Sequence, residues 1–183
     1  DNTFIIIWTT TPWTIPSNVA VAVHPSYEYV EVLAFRGNDR SERLILAGSL
    51  VDTVLKKGGY EKWEIVSVKK GKELAGMHYE HPLQDIIEKQ RSIEHAVYTD
   101  EFVSLEGGTG CVHIAPAFGE EDFALGKKHN LPVFCPVNFS GIFTAEAEKY
   151  EGKEVRKANR DVLADLKERG LLLSEERVTH SYG

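Results

Sequence analysis

A chain of 183 residues with 42% apolar and 27% charged side chains has the length and composition of one soluble domain with a sizeable core. No apolar run approaches the ~20 residues of a membrane span, and Asp1-Asn2-Thr3-Phe4 offers no basic n-region or signal-like core, so a cytoplasmic protein is expected. The net charge of −7 argues against an autonomous nucleic-acid binder, because affinity for phosphates rests on Lys/Arg contacts and counterion release.

The first half reads as strands. Phe4 to Trp8 is a short apolar run that begins close to residue 1, which makes the segment look cut from a longer protein. Val19 to Val23 and Tyr27 to Phe35 follow, separated by the turn signal His24-Pro25-Ser26. Arg43 to Ala47 and Trp63 to Val68 are two more expected strands. Between them Ser49 to Lys57 reads as a helix with Ser49 as N-cap, ended by Gly58-Gly59. Gly71 to Pro82 is loop-like, and Ser92 to Val97 and Phe102 to Leu105 suggest further strands.

Val112 to Ala115 reads as a strand and Gly119 to Asn130 as a helix, with Glu120, Glu121 and Asp122 complementing the positive end of its dipole. Val133 to Cys135 and Gly141 to Phe143 are short strands or a hairpin. Lys153 to Arg169 has Val155, Ala158, Val162, Leu163 and Leu166 at helical spacing, with Gly170 at the C-cap. Leu171 to Leu173 and Val178 to Tyr182 close the chain. There are no repeats and no internal linker, so residues 1–183 are expected to form a single α/β domain. Its core would be barrel-like and mostly antiparallel, with peripheral helices.

Two segments carry chemistry. Trp8-Thr9-Thr10-Thr11-Pro12-Trp13-Thr14 places four hydroxyls around a rigid proline turn at a strand end. Such hydroxyls commonly bond neighbouring backbone; aimed outward, they hold a ligand's oxygens and orient a water. The second segment runs from Gly107 through Cys111, His113 and Pro116 to Asp122. Alternation turns His113 away from Val112 and Ile114, towards a cleft if those two face the core. The reversal at Pro116 to Gly119 folds Asp122 back towards His113, where its carboxylate could pair with an ammonium. Cys111 and Cys135 show no metal-ligand spacing, and reduced thiols are expected. A Cys111–His113 nucleophilic pair would have poor geometry and no third orienting group.

Together the segments resemble the editing domain (connective peptide 1) of class I aminoacyl-tRNA synthetases for branched aliphatic amino acids. The match is to the isoleucyl form. Trp8 to Thr14, followed by Ile15, Pro16 and Asn18, read as in that form, as do Gly108 to Asp122 with His113. The valyl and leucyl relatives have arginine where Thr11 stands and lack Trp13. His180-Ser181-Tyr182 resembles the strand that returns to the synthetase body. The signatures of the aminoacylation site, where ATP is used, are absent from the sequence.

The resemblance implies hydrolysis of valine wrongly attached to tRNA(Ile), and of valyl-adenylate. A pocket for isoleucine rejects valine by only about 1–3 kcal/mol, these synthetases being the usual illustration of that limit. A second, smaller site would admit valine and exclude isoleucine. By the same resemblance Asp122 holds the α-ammonium, Thr10 and Thr11 bind the terminal adenosine and place the water, and Thr9 and Thr14 support them. His113 is both a catalytic candidate and, with Trp13, a wall of the pocket. Ala117, Phe118 and Gly119 lie along the binding segment, with Asn18 and Tyr182 near the adenosine. No metal or other cofactor is expected, because positioning and oxyanion hydrogen bonds can suffice for an activated ester. Expected partners are the charged tRNA 3′ end and the rest of the synthetase, with the isolated domain monomeric and no membrane. The rival readings are a non-catalytic nucleoside-binding module, valyl-type editing of threonine, and a thiol hydrolase.

Overall fold

Among the described residues, strands of three to nine residues build two separate sheets. The structure is a computed structural model that describes residues 3–37 and 40–176. The larger sheet contains β1 (Thr3–Ile5), β3 (Glu28–Arg36), β4 (Arg40–Ala47) and β5 (Lys62–Lys70), in the order β1-β4-β3-β5. β3 runs antiparallel to both its neighbours, and β1 runs parallel to β4. In the smaller sheet β2 (Ala20–Val23) lies between β6 (Ala96–Thr99), which is parallel to it, and β7 (Cys111–Ile114), which is antiparallel. All four residues of β2 are buried, as in a strand covered on both faces.

The α-helices among the described residues are peripheral: α1 (Val51–Lys57), α2 (Gly71–Leu74), α3 (Glu120–Lys128) and α4 (Val155–Glu168). α4 has the strongest sequence logic. Val155, Ala158, Val162 and Leu166 fall on one stripe and pack with Ile15, Leu83, Phe143 and Tyr150. The Glu154 carboxylate caps it by accepting from the N–H groups of Arg156 and Lys157. A second cluster, including Val21, Tyr29, Ile45, Val97 and Cys111, joins the two sheets.

The α/β class, the antiparallel bias and the peripheral helices agree with the sequence expectation; among the described residues the hydrogen bonding closes neither sheet into a barrel. Several local expectations need correction. β1 ends at Ile5, well short of Trp8. Phe102 to Leu105 forms no strand, and Ser92 ends a 3-10 turn, with β6 starting only at Ala96. Val133 to Cys135 takes part in no strand pairing among the described residues; the isolated bridges here are Val137 to Phe143 and Ile142 to Glu154. Ser49 does not cap α1, because a 3-10 turn over Gly48–Leu50 leads into that helix. Each of these segments is short and apolar, so alternation alone could not distinguish a strand from a packed turn. Tyr182 and the rest of Val178 to Tyr182 lie outside the described residues.

Candidate functional site

Pro12 and Pro16 set a six-residue 3-10 turn, Pro12–Ser17, which carries the threonine segment from the first sheet onto α4. Proline suits a tight turn that needs few backbone donors. The Trp13 N–H donates to Asn159 Oδ1 on α4 at 2.8 Å, and the Trp13 ring packs edge-on against Phe118 at 4.9 Å. The loop is therefore anchored to a helix on one side and to the His/Asp segment on the other.

The Gly107–Gly110 stretch is pinned in the same way. The Thr109 hydroxyl donates to the Ile6 carbonyl at 2.5 Å, and the Ala47 N–H donates to the Thr109 carbonyl at 2.9 Å. Tyr29 donates to the Gly110 carbonyl. Gly110 has φ +79°, and a Cβ there would stand 2.4 Å from Ala47 Cβ, so this position requires glycine.

Between these two segments lies a cavity of about 520 Å³. Thr9, Thr10, Thr11 and Thr14 line one side, and His113, Phe118, Gly119 and Asp122 line the other. Trp13, Asn18 and Ala117 do not line it: Trp13 braces Phe118, and Asn18 sits behind His113. The lining also includes Trp8, Val103, Gly108 and Glu121, which sequence reasoning does not single out as site residues. Trp8 carries a usable signal, as a half-exposed tryptophan next to a hydroxyl run; Val103 is hidden in a segment that reads as strand. Among the described residues no lysine or arginine lines the cavity.

The hydroxyls are ordered. Thr9 Oγ1 accepts from the Thr11 N–H at 3.0 Å, and Thr14 Oγ1 donates to the Thr11 carbonyl at 2.9 Å. Thr10 is exposed, and its hydroxyl has no protein partner among the described residues. Local backbone bonding therefore accounts for Thr9 and Thr14 and leaves the Thr10 hydroxyl without a protein partner at the cavity, among the described residues.

His113 is buried with both ring nitrogens engaged: Nε2 lies 2.9 Å from Thr14 Oγ1, and Nδ1 lies 2.8 Å from Asn18 Nδ2. Burial lowers its pKa to about 4, so the imidazole is neutral at physiological pH. With neither nitrogen open to the cavity, His113 is a fixed polar wall and not a proton acceptor.

Asp122 makes no hydrogen bond to His113. Its Oδ2 accepts from the Ala115 N–H at 2.8 Å, which ties the first turn of α3 to the end of β7. Burial raises its carboxyl pKa, and the bond from Ala115 opposes that rise. A Cβ on Gly119 would lie 2.6 Å from Asp122 Oδ1, so the glycine leaves that oxygen its room. A half-buried carboxylate with one oxygen fixed by backbone suits a cationic ligand group.

The thiol alternative fails on electrostatics. Cys111 is buried and its thiol is pushed up to about 12, far from the thiolate a nucleophile requires. Among the described residues no three His, Cys, Asp or Glu side chains cluster as metal ligands would, and no helix is long and apolar enough to cross a membrane.

No family model matches the chain. Isoleucine–tRNA ligases do. That of Methanosarcina mazei is 52% identical over 183 residues, covering 100% of this chain and 17% of the ligase. That of Archaeoglobus fulgidus is 51% identical over 182 residues, covering 100% and 18%. Pyrobaculum aerophilum supplies a third, 48% identical over 179 residues, covering 98% and 18%. The chain thus spans about one sixth of the length of these relatives. In structure it resembles the crystal structure of GlLeuRS-CP1, with a TM-score of 0.70 at 15% identity, covering 97% of this chain and 87% of that one. The Plasmodium knowlesi cytosolic leucyl-tRNA synthetase editing domain gives 0.67 at 14% identity, covering 91% and 82%. The sequence identity over the whole chain, together with the shared fold, shows that this chain belongs to the isoleucine–tRNA ligase family, as the part with the editing-domain (CP1) fold.

Proposed function

We propose that the cavity hydrolyses the ester of valine mischarged on tRNA(Ile), and valyl-adenylate, within an isoleucyl-tRNA synthetase. The observation that carries the reading is the pairing across one cavity of an ordered threonine loop with a backbone-anchored carboxylate. The Asp122 carboxylate pairs with the α-ammonium of the amino acid, which only the deprotonated acid can do. Thr10 and Thr11 take the terminal ribose and the water. Water adds to the ester carbonyl, the bond to the ribose oxygen breaks, and valine and the free 3′ end leave.

Phe118, backed by Trp13, and His113, backed by Thr14 and Asn18, are stiff walls on the side-chain pocket. A stiff wall is what size exclusion requires, because a single methylene offers little energy for discrimination. Positioning and hydrogen bonds to the developing oxyanion supply the rate, and the reading calls for no metal or other cofactor. The tRNA and the remainder of the synthetase are the partners, and the cytoplasm is the compartment.

The test is a calorimetric titration with a non-hydrolysable valyl-amino-adenosine beside its isoleucyl analogue, followed by deacylation of Val-tRNA(Ile). Binding of the valyl compound alone, lost in Asp122→Ala, is the expected result. Equal binding of both analogues would remove the size sieve. Binding without deacylation would reduce the cavity to a recognition module, and preference for a threonyl analogue would indicate valyl-type editing.

A further inference from the structure

We propose that Asn18 sets His113 as a neutral Nε2–H imidazole and that Tyr79 holds Asn18 in place, both as positioning residues that do not line the cavity, in a hydrogen-bond chain of one fixed direction. This inference rests on the proposed editing reaction and adds the means by which its wall is set.

The direction follows from donor and acceptor counts. Asn18 is buried, and one side of its amide lies 2.9 Å from the Ala20 carbonyl and 2.8 Å from His113 Nδ1. A carbonyl only accepts, so the group facing Ala20 must be the NH2. Its second hydrogen then points at Nδ1, which must accept, and the ring proton is left on Nε2. Nε2–H donates to Thr14 Oγ1, which spends its own hydrogen on the Thr11 carbonyl. At the other end Tyr79 donates to Asn18 Oδ1 at 2.5 Å, satisfying the remaining amide oxygen. The groups from Tyr79 to Thr11 are thus ordered in one line, with the sense set by the Ala20 carbonyl.

The consequence is chemical. His113 faces the cavity with no lone pair to offer, so the proton released by the attacking water goes elsewhere. The titratable groups around it are Tyr79, His81 and His95 behind, Cys111 on its own strand, and Glu121 and Asp122 across the cavity.

Long-range 1H–15N correlation spectra of the imidazoles read the tautomer without substrate, so this result stands apart from hydrolysis itself. The wild-type chain is expected to show His113 as Nε2–H only, with no titration near its ordinary pKa of about 6.5. Asn18→Asp places a carboxylate oxygen against Nδ1. There the ring is expected to switch to Nδ1–H or to become doubly protonated, with a raised pKa, and deacylation gains a pH dependence at that pKa. Tyr79→Phe keeps the tautomer, because Ala20 still orients the amide. It is expected to lower kcat about threefold to tenfold at unchanged KM, the usual effect of one lost buried hydrogen bond. A wild-type Nδ1–H signal, or an Asn18→Asp spectrum identical to wild type in a folded protein, overturns the proposal. An unchanged kcat in Tyr79→Phe removes Tyr79 from it. If the tautomer is as stated but no ester is cleaved, the editing reading fails and the ordered chain survives.

Discussion

At Asp122 a stability cost and the proposed binding role coincide. Burial disfavours its charged form in the folded state and raises the carboxyl pKa, so near neutral pH ionisation works against the fold. Asp122→Asn is therefore expected to leave thermal stability unchanged or slightly higher at neutral pH. The same variant should weaken binding of a valyl-amino-adenosine by about tenfold to a hundredfold, the range for a hydrogen bond to a charged group. Lowering the pH protonates Asp122, so affinity should fall with an inflection above the ordinary carboxylate value of 3.8. Calorimetry across pH checks both points. Gly119→Ala approaches the same carboxylate from its other side: the new Cβ would stand 2.6 Å from Oδ1. Displacing Asp122 by that route should abolish deacylation in kinetic assays while the melting temperature changes only modestly.

The 3-10 turn over Pro12–Ser17 depends on a polar layer beneath it. Gln90, fully buried, donates to the Pro16 carbonyl at 2.6 Å and the Asn18 carbonyl at 3.0 Å, and is itself oriented by His95. His81 accepts from the Leu83 N–H at Nδ1, so its Nε2–H donates to the Ile15 carbonyl. Gln90→Leu would strand two carbonyls and should cost about 2–4 kcal/mol in urea unfolding, each unsatisfied buried group costing ~1–3 kcal/mol. Acid should loosen the same layer. His81 and His113 have folded pKa values lowered to about 3 and about 4 from 6.5. The unfolded chain then binds more protons below pH 6.5, and stability falls as the pH drops through that window. Each histidine contributes roughly 1.4 kcal/mol per pH unit between its two pKa values. Melts from neutral pH to pH ~4 should show that slope, reduced in His81→Gln.

Elements whose side chains repeat with a clear period are readable from sequence. α4 is expected over Lys153 to Arg169 and spans Val155–Glu168, because its apolar stripe recurs every three or four residues. β3 and β5 are readable as long runs bounded by turn signals. Gly71–Leu74, which reads as loop, makes a single helical turn too short to carry a period.

At the scale of the whole molecule, the cavity has no lysine or arginine among the described residues, and the chain carries a net charge of −7. On the proposed editing reaction, the phosphates of the tRNA are expected to be held largely by parts of the synthetase beyond this sixth of its length. This chain alone should hydrolyse valyl-adenylate with little dependence on salt. Deacylation of Val-tRNA(Ile) by the full-length enzyme should fall steeply as salt rises, and parallel rate measurements at low and high salt check the contrast.

The sequence by itself determined the class of fold, the two segments that meet at the cavity, and the family. Those depend on local periodicity and on residue types at fixed spacing, which a linear string records. Only the tertiary structure decided what each residue does there. Trp13 and Asn18 stand behind the wall, Thr10 faces the cavity while Thr9 and Thr14 bond the loop, and His113 holds no free lone pair. Tyr79 and Gln90 gave no sequence signal at all, because their partners lie 61 to 74 residues away along the chain. Hydrogen-bond direction is a property of groups brought together by folding, and no spacing in the sequence encodes it.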